Sequence, residues 1–134
     1  MTELQLSRIM VDESRNEQVI IFREKSGERL LPVVIGMAEV NAIKLKLSGV
    51  EPPRPMTHDL VVQILSRLGV KLERIVIDKL QDNTFYAKMH LTTPKNGTLV
   101  VDARPSDSVA LAVRTGSPIY AEDEVLAKAG ITEI

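Results

Sequence analysis

Two short segments of the chain combine arginine, proline and aspartate at the start of a predicted helix. They are "RPMTHD", residues 54–59, and "DARPSD", residues 102–107. The first segment supplies Arg54, Thr57, His58 and Asp59, and the second supplies Asp102, Arg104, Ser106 and Asp107. A helix N-terminus presents unpaired backbone N–H groups and partial positive charge, and both favour phosphate. The sequence therefore predicts a phosphodiester site, provided that the fold brings the two segments together.

The residues of the two segments could supply phosphate binding and proton transfer, both of which a phosphodiester site requires. Arg54 and Arg104 can bind phosphate oxygens through paired hydrogen bonds. Thr57 and Ser106, at the same helix starts, complete the predicted phosphate-binding set. Histidine is the side chain best suited to proton transfer near neutral pH, so His58 can act as a general base or a general acid.

The nearby carboxylates predict both catalysis and metal binding. With His58, Asp59 and Asp107 form the predicted catalytic set. Asp102, Asp107 and Glu39, which lies in the first turn of an earlier predicted helix, form the predicted metal set. Mg²⁺ and Mn²⁺ favour carboxylate and water oxygens, and either a one-metal or a two-metal mechanism fits. The dispersed glycines form no phosphate-loop motif, so no organic cofactor is predicted.

Each of these residues also has a purely structural explanation. Thr57 can be only a helix N-cap, and Asp59 and Asp107 can only complement helix dipoles, at about 0.3–1 kcal/mol each. Arg104 can pair with Asp102 or Asp107 inside its own segment. Structural ion pairs are commoner than functional sites, so spacing alone leaves both explanations open.

Composition limits the remaining possibilities. The 134 residues predict one domain, residues 1–134. The net charge is −1, with 17 Lys and Arg against 18 Asp and Glu, so a nucleic-acid partner would need a local basic patch. The absence of cysteine excludes disulfides and thiolate metal sites. No signal-peptide pattern and no apolar run of ~20 residues occurs, which predicts a cytoplasmic protein without a membrane partner.

The hydrophobic pattern predicts a single compact α+β domain with a mixed or mostly antiparallel sheet of hairpins and three to four helices. Strands are predicted at residues 3–12, 17–24, 28–36, 70–80, 82–93, 98–103 and 117–121, and helices at 36–48, 58–68, 105–115 and 122–129. Pro32 cannot donate to a strand ladder. Its strand is therefore expected at a sheet edge, or Pro32 at a strand start or a bulge.

The first two predicted helices carry much apolar surface. The first has two apolar stripes, one of Val40, Ile43 and Leu47, the other of Ala38, Ala42 and Leu45. A helix of this kind is covered on two sides, by another element or by a partner subunit. The buried face of the second helix is predicted to consist of Leu60, Ile64 and Leu68 with Val61 and Leu65.

Five motifs, in order, resemble the bifunctional nuclease domain family of bacteria and plants. They are "LLPVVIGMAEVNAI", "PPRPMTHDL", "TFYAKMHL", "DARPSDSVALAVRTGSPIY" and "EDEVLAKAG", and they extend from about Arg29 to Gly130. Members of that family are described as having both DNase and RNase activity, so the resemblance implies a nucleic-acid substrate. It also implies a compact α+β domain that assembles as a homo-oligomer, most simply a dimer.

The leading hypothesis is a metal-assisted nuclease for DNA and RNA, in which Arg54 and Arg104 hold the phosphate and His58 transfers a proton. A second hypothesis is a non-enzymatic regulatory or binding module that assembles as an oligomer. The small net charge and the 3% aromatic content favour this alternative. A third is an oligomeric scaffold whose polar segments only tie helices to the sheet. The distance between His58 and Asp107 tests whether one composite site exists.

Overall fold

The chain forms one mixed sheet with four helices in the residues that the computed structural model describes, 1–15 and 17–132. The strands are β1 (Thr2–Asp12), β2 (Glu17–Glu24), β3 (Leu30–Ile35), β4 (Lys71–Gln81), β5 (Thr84–Thr92), β6 (Thr98–Ala103) and β7 (Ile119–Ala121). The helices are α1 (Met37–Leu47), α2 (Thr57–Arg67), α3 (Pro105–Thr115) and α4 (Asp123–Ala129). The predicted α+β class is confirmed.

Two antiparallel three-stranded units are joined through the short strand β7. The sheet order is β3-β2-β1-β7-β4-β5-β6. β7 pairs antiparallel with β1 and parallel with β4, which makes the sheet mixed. Because α3 directly precedes β7, this insertion places α3 against the middle of the sheet. Pro32 lies in the edge strand β3, so the edge position expected for its strand is confirmed.

The core lies between the sheet and the helices. Ile75 and Ile77 of β4 are fully buried, as are Val109 and Ala110 of α3. Each fully buried Val or Ile contributes about 1.5–3 kcal/mol relative to an exposed one. α3 begins at Pro105, as predicted, and ends at Gly116, whose φ of 69° is left-handed and favours glycine. The helix that carries Asp107 is therefore the most deeply anchored of the four.

The predicted buried face of α2 is wrong for Leu60, Ile64 and Leu68. No residue of α2 is fully buried, and Leu60, Ile64 and Leu68 are each at least half exposed. Val61, which was predicted on that face, does pack against the core, together with Val62. Contacts from the first turn of α2 to α3 set the rotation of the helix, so the apolar stripe faces away from the sheet.

In α1, the predicted stripe of Val40, Ile43 and Leu47 is buried only in part. Val40 and Ile43 are fully buried, whereas Leu47, the last residue of the helix, is more than half exposed. None of the helices described is long and apolar enough to cross a bilayer.

Candidate active site

The two Arg-Pro segments meet where α2 packs on α3. Nε2 of His58, in the first turn of α2, lies 2.9 Å from Oδ1 of Asp107, in the first turn of α3. The two residues are 49 positions apart in the sequence. The composite site required by the leading hypothesis therefore has the geometry that it needs at this pair.

Two further side chains extend this pair into a network. Nε of Arg104 donates to Oδ2 of Asp107 at 2.9 Å, and Nη2 of Arg104 lies 3.0 Å from Oε1 of Glu39. His58, Asp107, Arg104 and Glu39 thus form a continuous chain of contacts across α2, α3 and α1, called the site network below. Sequence spacing had placed each residue near a helix start, and packing of the three helices brings them together.

Exposure differs strongly within the site network. The side chain of His58 is 15% exposed, whereas that of Arg104 is 65% exposed. Glu39 and Asp107 lie between these extremes. The guanidinium group is thus presented to solvent, and the residues that hold it are shielded, which suits the capture of an anion from solution.

Two clefts meet at Arg104. One, with a volume of about 440 Å³, lies between α1 and the start of α2 and is lined by the site network together with Thr57 and Met56. The other, of about 700 Å³, lies beyond Arg104, and Arg15, Asn83 and Ser106 contribute to its lining. An extended ligand could contact Arg104 from both sides.

Asp107 is ionised by its neighbours. Partial burial pushes the pKa of Asp107 upward, but the hydrogen bonds from Arg104 and His58 outweigh burial, so the pKa lies below its usual range. An ionised Asp107 can accept a hydrogen bond from Nε2 of His58 in the tautomer that carries its proton there. In that tautomer Nδ1 is the basic atom of the ring, the arrangement of a carboxylate-oriented general base.

Asp59 does not belong to the site network. Its Oδ1 accepts a hydrogen bond from Nε of Arg114 at 2.7 Å, and its Oδ2 accepts the backbone N–H of Met56 at 3.0 Å. The hydrogen bond from Arg114 lowers the pKa of Asp59. Both oxygens are thus engaged in holding the start of α2, a structural explanation for the residue.

Arg114 was not among the residues singled out from the sequence. Its side chain is only 4% exposed, and it also donates to the backbone carbonyls of Ala110 and Ala42 at 2.8 and 3.1 Å. It therefore ties α1, α2 and α3 together beneath the site. The available signal was a lone arginine within "SVALAVRTG", the apolar part of α3.

The remaining predicted phosphate ligands occupy different places. Ser106 is buried and lines the second cleft. Thr57 is exposed and lines the first, but it is the first residue of α2 and not its N-cap, because the helix is capped at Met56 by Asp59. Arg54 is exposed in the preceding loop, and the salt bridges of the site network in the described residues do not include it.

The predicted metal set does not converge. Asp102 is 72% exposed and pairs with Lys88 of β5 at 3.0 Å, away from the site network. Arg104 contacts the carboxylates of both Glu39 and Asp107. Within residues 1–15 and 17–132, no three His, Asp or Glu side chains are arranged to hold a metal ion. Asp102, Asp107 and Glu39 therefore do not fit a common Mg²⁺ or Mn²⁺ site.

Comparisons with known proteins agree with the resemblance of the motifs. The model of the bifunctional nuclease domain matches residues 20–133. An uncharacterized protein of Mycobacterium tuberculosis is 46% identical over 131 residues, which is 98% of this chain and 77% of that protein. Bifunctional nuclease 2 of Oryza sativa subsp. japonica is 25% identical over 127 residues, covering 92% of this chain and 39% of the plant protein.

A second plant relative, Bifunctional nuclease 1 of Arabidopsis thaliana, is 23% identical over 110 residues, or 81% of this chain and 34% of its own length. The matched region thus spans less than half of each plant protein. The chain belongs to the bifunctional nuclease domain family.

Proposed function

We propose that this chain is a nuclease that cleaves phosphodiester bonds of DNA and RNA, with His58 as its general base. The observation that carries the proposal is the 2.9 Å contact between His58 and Asp107, with the exposed Arg104 beside it. Membership in the family and the names of the plant relatives support the same reaction class.

The proposed reaction uses the site network in a defined order. Arg104 binds the non-bridging oxygens of the phosphate through the guanidinium N–H groups that neither carboxylate occupies. Water, or the 2′-hydroxyl of RNA, attacks phosphorus while its proton passes to Nδ1 of His58. The bond from phosphorus to the leaving oxygen breaks, and that oxygen takes a proton from solvent. Asp107 stabilises the imidazolium that forms.

The strand that flanks the cleaved bond would lie in the second cleft. That cleft begins at Arg104 and is lined by Arg15 and by Ser106 at the start of α3. A helix N-terminus and two arginines suit the next phosphate along a strand. Glu17 also lines this cleft, so its ionisable lining is two arginines against one carboxylate, a small local positive excess in a chain of net charge −1.

No step is assigned to a metal ion, because the predicted carboxylate set does not converge. Metal dependence is tested directly by comparing cleavage in Mg²⁺, Mn²⁺ and EDTA. If the reaction follows the site network alone, cleavage of RNA persists in EDTA, because RNA carries its own nucleophile.

The test compares His58→Ala and Asp107→Asn with wild type on single- and double-stranded DNA and on RNA. We expect His58→Ala to lower kcat/KM about 10²–10⁴-fold. Asp102→Asn is the matched control, because Asp102 is a carboxylate of the same segment that lies outside the site network. Equal cleavage by His58→Ala and wild type would contradict the proposal.

A second candidate is a non-enzymatic binding module. It is favoured by the internal pairing of the site network, since Asp107 contacts both His58 and Arg104 as a purely structural group would. Under this alternative, homogeneous wild-type protein cleaves neither DNA nor RNA, whether Mg²⁺ or Mn²⁺ is supplied. His58→Ala would then lower only the free energy of unfolding.

A further inference from the structure

The helix α1 has a second apolar side that the core does not use. Val40 and Ile43 are fully buried, whereas Ala38 is exposed and Ala42 and Leu45 are half-buried. Residues spaced by three, four or seven positions share one side of a helix, so the last three residues lie together and face away from the first two. In the structure, this second side forms a wall of the cleft of about 440 Å³ beside the site network.

The rest of this cleft, called the first cleft below, is also free of charge away from the site network. Met56 and Thr57, at the start of α2, line it opposite α1. Asn41 lies on the same side of α1 as Ala38, and its amide offers both a hydrogen-bond donor and an acceptor. Among residues 1–15 and 17–132, those that line the first cleft outside the site network are all uncharged. The first cleft thus presents an apolar lining directly beside charged groups.

The second cleft, on the other side of Arg104, has a different lining. Arg15 and Glu17 contribute charges to it, and Ser106 contributes a hydroxyl group. A nucleotide likewise has two different parts. Its phosphate favours arginine, and its uncharged base packs its faces on apolar or aromatic side chains. The contrast between the two clefts therefore matches the two parts of a nucleotide chain bound at Arg104.

We propose that the first cleft binds the nucleobase next to the phosphate that Arg104 holds, a placement that rests on the proposed function. Leu45 and Met56 pack on the faces of the base, and Asn41 forms hydrogen bonds with its polar edge. The volume of about 440 Å³ lies within the range of ~300–1,000 Å³ for clefts that bind small molecules.

This arrangement selects substrates with unpaired bases. In a duplex each base is stacked and paired, so it enters a concave site only after it is extruded from the helix, at a cost in free energy. A single strand or an RNA loop presents its bases without that cost. The substrate class is therefore single-stranded DNA and RNA, with one base in the first cleft and the next phosphate in the second.

A nucleobase suits the first cleft better than an apolar segment of another protein does. Arg104 borders the cleft and is 65% exposed, so an occupant must supply an acceptor for its guanidinium group. The phosphate attached to the base supplies that acceptor, and the edge of the base carries donors and acceptors for Asn41. An apolar protein segment would cover the guanidinium group without pairing it, which is unfavourable.

The test compares adenosine 5′-monophosphate with ribose 5-phosphate, which has the sugar and the phosphate but no base. Binding is followed by NMR titration of protein with isotope-labelled alanine and methionine methyl groups. We expect the mononucleotide to bind about ten-fold more tightly, the order of magnitude contributed by one stacked base. It should shift the methyl resonances of Ala38, Ala42 and Met56, and leave that of Ala127, exposed on α4, unchanged.

Substitution of Met56 distinguishes binding of the base from binding of the phosphate. Met56→Ala should weaken the mononucleotide several-fold and leave the affinity for ribose 5-phosphate unchanged. Met37→Ala is the matched control, because Met37 and Met56 are 57% and 50% exposed and Met37 does not line the first cleft. Arg104→Ala should weaken both ligands, since each carries the phosphate.

Equal affinities of wild type for the two ligands would overturn the base site. So would unchanged methyl resonances of Ala38, Ala42 and Met56, the result expected if the apolar wall serves only a protein partner. Equal weakening of the mononucleotide by Met56→Ala and Met37→Ala would also contradict it.

A cleavage assay separates the base site from the proposed function. Wild type should cleave a single strand faster than the same strand in a duplex, and more slowly when an abasic residue flanks the cleaved bond. Preference for the mononucleotide without any cleavage would contradict the nuclease and support the base site. Cleavage with equal affinities for the two ligands would support the nuclease and overturn the base site.

Discussion

Asp59 and Asp107 occupy the same position in two helices and have different roles. Each is the third residue of its helix, α2 and α3 respectively, and each pairs with an arginine. The arginine that pairs with Asp59 is Arg114, which is 4% exposed, whereas the partner of Asp107 is Arg104, which is 65% exposed. Residue type and helix position are thus the same, and the burial of the partner distinguishes a structural tie from a candidate site.

The two Arg-Pro segments show the same difference in another way. Arg104 is the N-cap residue of α3 and immediately precedes Pro105. Arg54 lies three residues before α2 begins at Thr57. Arg104 is therefore held by Asp107, one turn into its helix, whereas Arg54 remains in the exposed loop. The two Arg-Pro motifs place their arginines differently because Arg104 directly precedes its helix, whereas Arg54 lies three residues before its helix begins.

The largest expected effect is on the free energy of unfolding, which should distinguish Arg114 from Arg104. Arg114→Met removes the partner of Asp59 and of two backbone carbonyls while keeping the apolar stem. We expect it to lower the free energy of unfolding by about 3 kcal/mol, as when one partner of a buried ion pair is removed. Arg104→Met, in an exposed pair, should cost at most about 1 kcal/mol.

Urea unfolding of both variants measures this difference. Wild type and the exposed-site variant Asp102→Asn provide the reference values. Equal losses for Arg114→Met and Arg104→Met would show that burial of the arginine does not distinguish the two aspartates.

The next largest effect is on the rate of cleavage, which should distinguish Arg104 from Arg54. Under the proposed function, Arg104→Ala removes a donor to the developing phosphate charge and should lower kcat/KM about 10²-fold. Arg54→Ala, in the exposed loop, should remain close to wild type. Steady-state cleavage of a single-stranded RNA checks both, and a comparable loss in Arg54→Ala would place that arginine on the substrate.

Much of this comparison could be predicted from the sequence. The helix starts, the Arg-Pro motifs and all seven strands have local signals, and Pro105 and Gly116 mark the ends of α3. Local patterns do not determine which elements become neighbours. The insertion of β7 between β1 and β4 is such a long-range outcome, and it positions α3 so that Asp107 can meet His58.

The errors have the same physical origin. The stripe of Leu60, Ile64 and Leu68 resembles a buried face, but the contacts of His58 and Asp59 with α3 turn it outward. Asp102 belongs to the same segment as Asp107, yet it lies in a strand and pairs with Lys88 across the β5–β6 ladder. Side-chain direction in each case depends on tertiary contacts that periodicity does not contain.

A smaller effect tests the support of Arg104 by Glu39. A Cβ at Gly36 would collide with the Glu39 carboxylate, the end of a flexible side chain, so Gly36→Ala should swing Glu39 away from Arg104. We expect cleavage to fall several-fold and the free energy of unfolding to change by less than ~1 kcal/mol.

Gly27→Ala is the matched control for this substitution. A Cβ at Gly27 would meet the carboxylate of Glu24, which pairs with Arg29 outside the site network. Stability should change by a similar amount, and cleavage should stay at the wild-type level. Loss of cleavage in Gly27→Ala as well would mean that Glu39 has no specific part in holding Arg104.

The smallest effect concerns the acid sensitivity of the two aspartates. Burial raises the pKa of Asp107, and hydrogen bonds from Arg104 and His58 lower it further than burial raises it. For Asp59, the hydrogen bond from Arg114 is the main cause of the lowered pKa. Both carboxylates therefore add stability that is present above their unfolded pKa of about 3.9 and is lost as pH falls below it.

Asp59→Asn and Asp107→Asn should each make the unfolding free energy less dependent on pH below about 4, measured by urea unfolding along a pH series. The partners distinguish the two cases. In an Arg114→Met background, Asp59→Asn should no longer change how the free energy of unfolding depends on pH, because the main cause of the lowered pKa of Asp59 is gone. Asp107→Asn should still change it there, because Arg104 and His58 remain. If Arg114→Met abolished both differences, the two aspartates would belong to one coupled network.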